Sequence, residues 1–271
     1  MQATLWVERL AGRESNPAER ARMFQELGAL TAPQFVFLGD MVSASTNREW
    51  RLLDTLLSRL QENESNVATA VGNHDIMFSR TRGLRALRER GLIPTACTWH
   101  TADRDGIRVL ILDTNPRELK GAACVAQLAW FRGQLQCAES DPSVRAVVVV
   151  GHHPPMTNAR LPHTAMAAIQ SFCDAFETSE KTCLWASGHV HAYERFLRSG
   201  KHYVVAGTSG GPRVGLHRGS AMRVPAALQL PTPSPFLWLE LSWARDSLHL
   251  VARGFPDLES DVQIWDQITF S

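Results

Sequence analysis

Eight residues of the 271-residue chain have the types and spacing to do metal-assisted chemistry: Asp40, Asn73, His74, Asp75, His152, His153, His189 and His191. They fall in four groups, each after an apolar run that stops at a glycine: Phe35 to Gly39, Val67 to Gly72, Val147 to Gly151 and Cys183 to Gly188. Carboxylate, amide oxygen and imidazole, with no thiolate among them, suit a borderline divalent ion such as zinc, manganese or iron. Asp40 can bridge two ions through its two oxygens, and His189 and His191, two residues apart, can serve one ion each. Two ions about 3.5–4 Å apart clamp a phosphate, activate a bridging water as hydroxide and stabilise the attacking and leaving oxygens. That chemistry is phosphoester hydrolysis. His74 is the candidate to protonate the leaving alkoxide or steady the phosphoryl oxygens, with Asp75 holding its imidazole in one tautomer.

The elements that must position these residues are legible in the same stretches. Val147-Val148-Val149-Val150 reads as a strand buried on both faces, and four strands of this kind are expected to deliver their tips to one rigid site. Asn16 as N-cap, Pro17 and Glu19 mark a capping box ahead of Met23, Phe24, Leu27 and Leu30 at helical spacing. Trp50, Leu53, Leu56, Leu57 and Leu60 draw a second helix over 47–60, which makes a β-α-β unit of the first two strands. A basic helix around 80–90 precedes strands at 98–101 and 107–112 that turn at Asp105-Gly106. A helix over 122–135 is expected to bury Val125, Leu128, Phe131 and Leu135, and Met166, Ile169, Phe172 and Phe176 mark another. Beyond His191 the texture is strands and turns: a hairpin at Ser199-Gly200, a long loop over 215–235, a hairpin at Arg245-Asp246 and a last strand over 262–270.

Together the ordered motifs Gly39-Asp40, Gly72-Asn73-His74-Asp75, Gly151-His152-His153-Pro154 and Gly188-His189-Val190-His191 resemble the calcineurin-like metallophosphoesterase superfamily. Tyr193-Glu194-Arg195 and the Gln127 to Phe131 helix look more like its purple acid phosphatase members. The resemblance implies an α/β, four-layer sandwich of two mixed β-sheets flanked by helices. It implies two divalent or mixed-valence metal ions, with Asp40 bridging both, Asn73, His152 and His189 completing one site, and His191 serving the other. His74 matches the family's general acid or transition-state stabiliser, and His153 is a candidate substrate contact or structural support of the site. The family's opening strand, which ends in D-x-H, has no counterpart before Gly39, so the fold is expected to lack its first strand. The expectation is that the chain begins inside a D-x-Q variant of that motif ending at Gln2. Ser43 stands where a purple acid phosphatase has its iron-binding tyrosine, so no tyrosinate-coloured iron site is expected.

Composition adds bounds. The length fits a single domain over 1–271. Charged residues at 20% and a net charge of +1 give no electrostatic argument for nucleic acid or membrane, so the expected partner is a small phosphorylated substrate. No apolar run is long enough to span a bilayer and no signal-peptide pattern opens the chain, which favours a cytoplasmic location. Five scattered cysteines read as buried thiols, with one disulfide possible. The function expected is a phosphomonoesterase. A phosphodiesterase, acting for instance on a cyclic nucleotide, and a non-catalytic metal-binding scaffold that lost its first strand are the alternatives.

Overall fold

The computed structural model describes residue 14 and residues 16–61, 65–160 and 166–270; the expectations for Met1 to Leu10 and for Gln2 lie outside them. The elements in chain order are α1 (Pro17–Gly28), β1 (Gln34–Phe37), α2 (Asn47–Gln61), β2 (Asn66–Thr69), α3 (Arg80–Glu89), β3 (His100–Thr101), β4 (Ile107–Leu112) and α4 (Gly121–Ser140). They continue as β5 (Ala146–Gly151), α5 (Met166–Thr178), β6 (Thr182–Ser187), β7 (Tyr193–Arg198), β8 (Lys201–Ala206), β9 (Leu228–Gln229), β10 (Phe236–Ala244), β11 (Ser247–Phe255) and β12 (Gln263–Phe270).

The valine strand shows how the layers are built. Alternate side chains of a strand point to opposite faces, so Val147 and Val149 pack with Phe131, Phe172 and Phe176 of α4 and α5, while Val148 and Val150 pack with Leu237, Leu250 and Ile268 from the last three strands. Neither face of β5 meets water, which is why the run carries no polar residue. A third cluster joins α1, α2 and α3 to β1 through Met23, Phe24, Trp50, Leu53 and Leu87. The result is helices, seven-stranded sheet, second strand layer, helices: the expected four-layer sandwich.

The large mixed sheet runs β3-β4-β5-β6-β8-β7-β9, with β4, β5, β6 and β8 parallel. Among the described residues the opposing layer is two hydrogen-bonded sheets, the parallel pair β1-β2 and the antiparallel β10-β11-β12. Each of β1 and β10 is paired on one edge only among the described residues, and between them lies a cavity of about 840 Å³ lined by Val36, Leu38, Leu184, Leu237 and Leu239. A strand laid there would join the two pieces into the second mixed sheet.

Turn chemistry held where it was read. Asp105 and Gly106, and likewise Ser199 and Gly200, all have positive φ between antiparallel partners, the backbone that two-residue hairpins favour. Three expectations need correction. Asn16 makes no side-chain cap on α1; its amide donates instead to the Gly211 carbonyl at 3.0 Å, tying the helix start to the loop after His191. Val125 is 69% exposed, because α4 turns Gln127 inward, where it donates to and accepts from the backbone of Asp113. Phe131, Leu135 and Ala138 then follow on the face of Gln127. The cysteines are all free, and of the five only Cys173 is fully buried while Cys137 is exposed.

Candidate active site

The four strand tips meet at the carboxyl ends of β1, β2, β5 and β6. After β1 the chain turns sharply through Gly39 (φ +88°) and Asp40 (φ +54°), and His189 after β6 is also left-handed (φ +61°). A non-glycine residue in that region costs of order 1–3 kcal/mol and persists where its surroundings impose it. At Asp40 what imposes it is Asp75. Its buried carboxylate accepts from the backbone N–H of Asp40 (3.0 Å), Val42 (3.3 Å) and Gly72 (2.9 Å), locking the β1 and β2 loops to each other. Asp40 Oδ1 in turn accepts from the His74 N–H at 2.8 Å.

Four ligand atoms then converge. His152 Nε2 lies 3.2 Å from Asp40 Oδ2, 3.1 Å from Asn73 Oδ1 and 3.2 Å from His189 Nδ1, and His189 Nδ1 lies 3.0 Å from Asn73 Oδ1. The other nitrogen of His152, Nδ1, donates to the Leu38 carbonyl at 2.7 Å, which leaves Nε2 with a lone pair in the neutral ring. Lone pairs facing one another at this distance require a positive charge between them. Ligands each about 2.0–2.2 Å from a common ion at right-angled or tetrahedral disposition sit roughly 3.0–3.5 Å apart. The spacing observed therefore fits one divalent ion. A proton on His152 Nε2 is the other way to supply such a charge: burial alone would raise the Asp40 carboxyl, but the charge and hydrogen bond of protonated His152 hold it below the ordinary range. Burial would lower His152, and the Asp40 carboxylate raises it.

His191 stands on the same cavity wall as Asp40 and His74. Its Nδ1 donates to the Pro212 carbonyl at 2.8 Å, presenting Nε2, and burial lowers its pKa and keeps the ring neutral. Among the described residues, Asp40 and His191 are the two expected ligands for a second ion. His74 differs from expectation in its support. Asp75 is spent on the three backbone N–H groups, and the His74 Nδ1 donates to the Ser43 carbonyl at 2.7 Å. Asp75 is thus a positioning residue for Asp40, not the partner of the His74 ring. His153, read as a substrate contact or as structural support of the site, stands behind the ligand group. It is buried, it does not line the cavity, and its ring stacks 4.3 Å from that of His189. One ring nitrogen lies within 4.8 Å of ligand nitrogens on His152 and His189, so it can back the metal group or join it.

The residues that sequence reasoning missed are Leu38, Ser43 and Pro212, which act through carbonyl oxygens, and Thr114, whose hydroxyl accepts from the His153 N–H at 2.7 Å. Any side chain can supply a carbonyl, so nothing in their identity signals the role. Tyr193-Glu194-Arg195 serves structure: Tyr193 and Arg195 both bond Asp266, and Glu194 is buried against Thr157, Asn158 and Gln229.

The rim of the site is pinned by Glu14 and Arg213. The Glu14 carboxylate accepts from the Arg213 N–H (3.0 Å) and guanidinium, which stacks over Phe236 at 4.4 Å. Burial pushes the Glu14 pKa up, but the Arg213 hydrogen bonds prevail and bring it to about 2 from 4.5. A depressed acid stabilises the fold above its unfolded pKa and loses that contribution as pH falls from about 4.5 through about 2. Because Glu14 is a third exposed, Glu14→Gln should cost only about 1 kcal/mol at pH 7. Denaturant titrations should show that difference shrinking to nothing towards pH 2.

Comparison with known proteins bears on the whole arrangement. No curated protein matches the chain. Among solved structures, a dimetal phosphatase from Danio rerio superposes with a TM-score of 0.62 at 16% identity, over 93% of this chain and 88% of that one. GAP50, the anchor in the inner membrane complex of Plasmodium, superposes with a TM-score of 0.58 at 14% identity, over 87% and 78%. At such identities these likenesses establish the fold. The sequence model of the calcineurin-like phosphoesterases matches residues 13–193, more than half of the chain and the stretch that supplies every convergent ligand. With that match over the same four strand tips, the chain belongs to the calcineurin-like phosphoesterase family.

Proposed function

We propose that the protein is a metal-dependent phosphomonoesterase with a dinuclear centre. The observation that supports this most directly is the gathering of Asp40 Oδ2, Asn73 Oδ1 and His189 Nδ1 around His152 Nε2, each at 3.1–3.2 Å from it, beside an open cavity. These four would hold one divalent ion, and Asp40 with His191 would begin the site of a second. When bound, such a pair supplies a nucleophilic water at neutral pH and neutralises phosphoryl charge. The chain's own residues do the rest. The Ser43 carbonyl fixes His74 so that Nε2 can deliver a proton to the departing alkoxide. Asp75 keeps Asp40 in its strained turn, and the rings of His152, His153 and His189 pack against one another behind the ligand atoms.

A second reading, a singly metallated scaffold, is favoured by the smaller ligand set around His191 among the described residues. Metal analysis after loading with manganese, zinc or iron, with hydrolysis of p-nitrophenyl phosphate measured on the same sample, separates the two. Two ions per chain with turnover is the expected result; one ion without hydrolysis of any phosphoester would leave the scaffold.

A further inference from the structure

We infer that Arg20 grips the phosphoryl group of the substrate and tilts the site towards monoester dianions over diester monoanions; the inference rests on the phosphoesterase reading above. Arg20 lies in α1, half-buried, on the wall of the cavity that also holds Asp40, His74 and His191. Two contacts fix its position. Its Nη1 donates to Ser43 Oγ at 3.3 Å, and Ser43 is the residue whose carbonyl holds the His74 ring. Its Cβ would lie 2.8 Å from a methyl group added at Gly210, while such a group on Gly211 would lie 2.4 Å from His191 Cε1. The guanidinium root is therefore set between the flank that carries His74 and the flank that carries His191.

Its donors are mostly unused. A guanidinium has five N–H groups, and among the described residues Arg20 gives one of them to a neutral hydroxyl and forms no ion pair. Arg22, two residues on, pairs with Glu26, and Arg213, beyond the Gly210–Gly211 turn, pairs with Glu14. An arginine left open on the wall of a cavity with metal-type ligands has the planar fork that matches two phosphate oxygens. A monoester offers that fork a dianion with three unesterified oxygens, whereas a diester offers one charge on two. The gain from Arg20 is larger for the monoester.

The test compares metal-loaded wild type, Arg20→Ala and Arg20→Lys on p-nitrophenyl phosphate and bis(p-nitrophenyl) phosphate, with calorimetric binding of inorganic phosphate and metal content on the same samples. Arg20→Ala should lower kcat/KM for the monoester by about 10–100-fold, mainly through KM, and weaken phosphate binding in parallel. Diester turnover and metal content should hardly change, and Arg20→Lys should recover part of the loss. If wild type is active and Arg20→Ala loses nothing, or loses both esters equally, the inference falls while the phosphoesterase reading stands. If wild type hydrolyses neither ester but binds phosphate through Arg20, the anion contact stands and the enzymatic reading falls. If wild type neither hydrolyses nor binds, both fall.

Discussion

Replacing His74 by alanine should lower the turnover of phosphomonoesters by about 10²–10⁴-fold while leaving metal content intact. The argument rests on what His74 touches. Its ring is held by the Ser43 carbonyl through Nδ1, and its N–H, not its imidazole, contacts Asp40. Removing the imidazole therefore leaves all four convergent ligand atoms in place. A general acid matters most when the leaving group is a poor one, so the loss should be larger on an alkyl phosphate than on p-nitrophenyl phosphate. Measurement of kcat on both esters with His74→Ala, alongside metal analysis, decides the assignment. An equal loss on both leaving groups would move His74 from proton donor to electrostatic support of the phosphoryl oxygens. A fall in bound metal would make it a ligand.

What could be read from the sequence and what could not divide along a physical line. An apolar run that stops at a glycine followed by ligand-type side chains, repeated at four strand ends, is visible in one dimension. Hence Asp40, Asn73, His152 and His189 are legible as ligand-type residues in the sequence, and in the fold the other three each come within 3.2 Å of His152 Nε2. Direction within a loop is not visible in that way. Asp75 follows His74 in sequence, yet its carboxylate points back under the turn to three backbone N–H groups, because burying it anywhere else would leave both the charge and those donors unsatisfied. Val125 misled for a related reason. Hydrophobicity alone puts it on the inner face of α4, but the two hydrogen bonds of Gln127 with Asp113 set the rotation of the helix. The division of the second strand layer into two sheets was equally hidden, since pairing of strand edges depends on which neighbour lies alongside and not on the strand's own residues.

Replacing Gly72 by alanine should remove metal binding and activity although Gly72 is not itself a ligand. A methyl group there would begin 2.1 Å from both the N and the Oδ1 of Asp40 and 2.8 Å from its Cα. Backbone cannot step aside as a flexible side chain can, and Asp75 clamps both partners, accepting from the N–H of Gly72 and of Asp40 with one oxygen. The two loops must separate, which breaks that shared hydrogen bond and carries Asp40 out of the ligand group. Overpacking of this kind costs about 1–3 kcal/mol in stability. A ligand misplaced by about 1 Å costs on the order of 10²-fold in rate, and disturbed ligand support costs about 10–100-fold in metal affinity. Gly133→Ala is the matched control, because that glycine lies within α4, with no positive φ and nothing within 4 Å of the added carbon. There the substitution should stabilise slightly, since alanine favours the helix by about 1 kcal/mol. Thermal unfolding with and without manganese, run on both variants, should show Gly133→Ala keeping the full metal-induced rise in Tm and Gly72→Ala losing it. A metal-induced rise of wild-type size in Gly72→Ala would mean that Asp40 does not hold the ion, because no arrangement of these two loops admits the methyl group and leaves the carboxylate where it is.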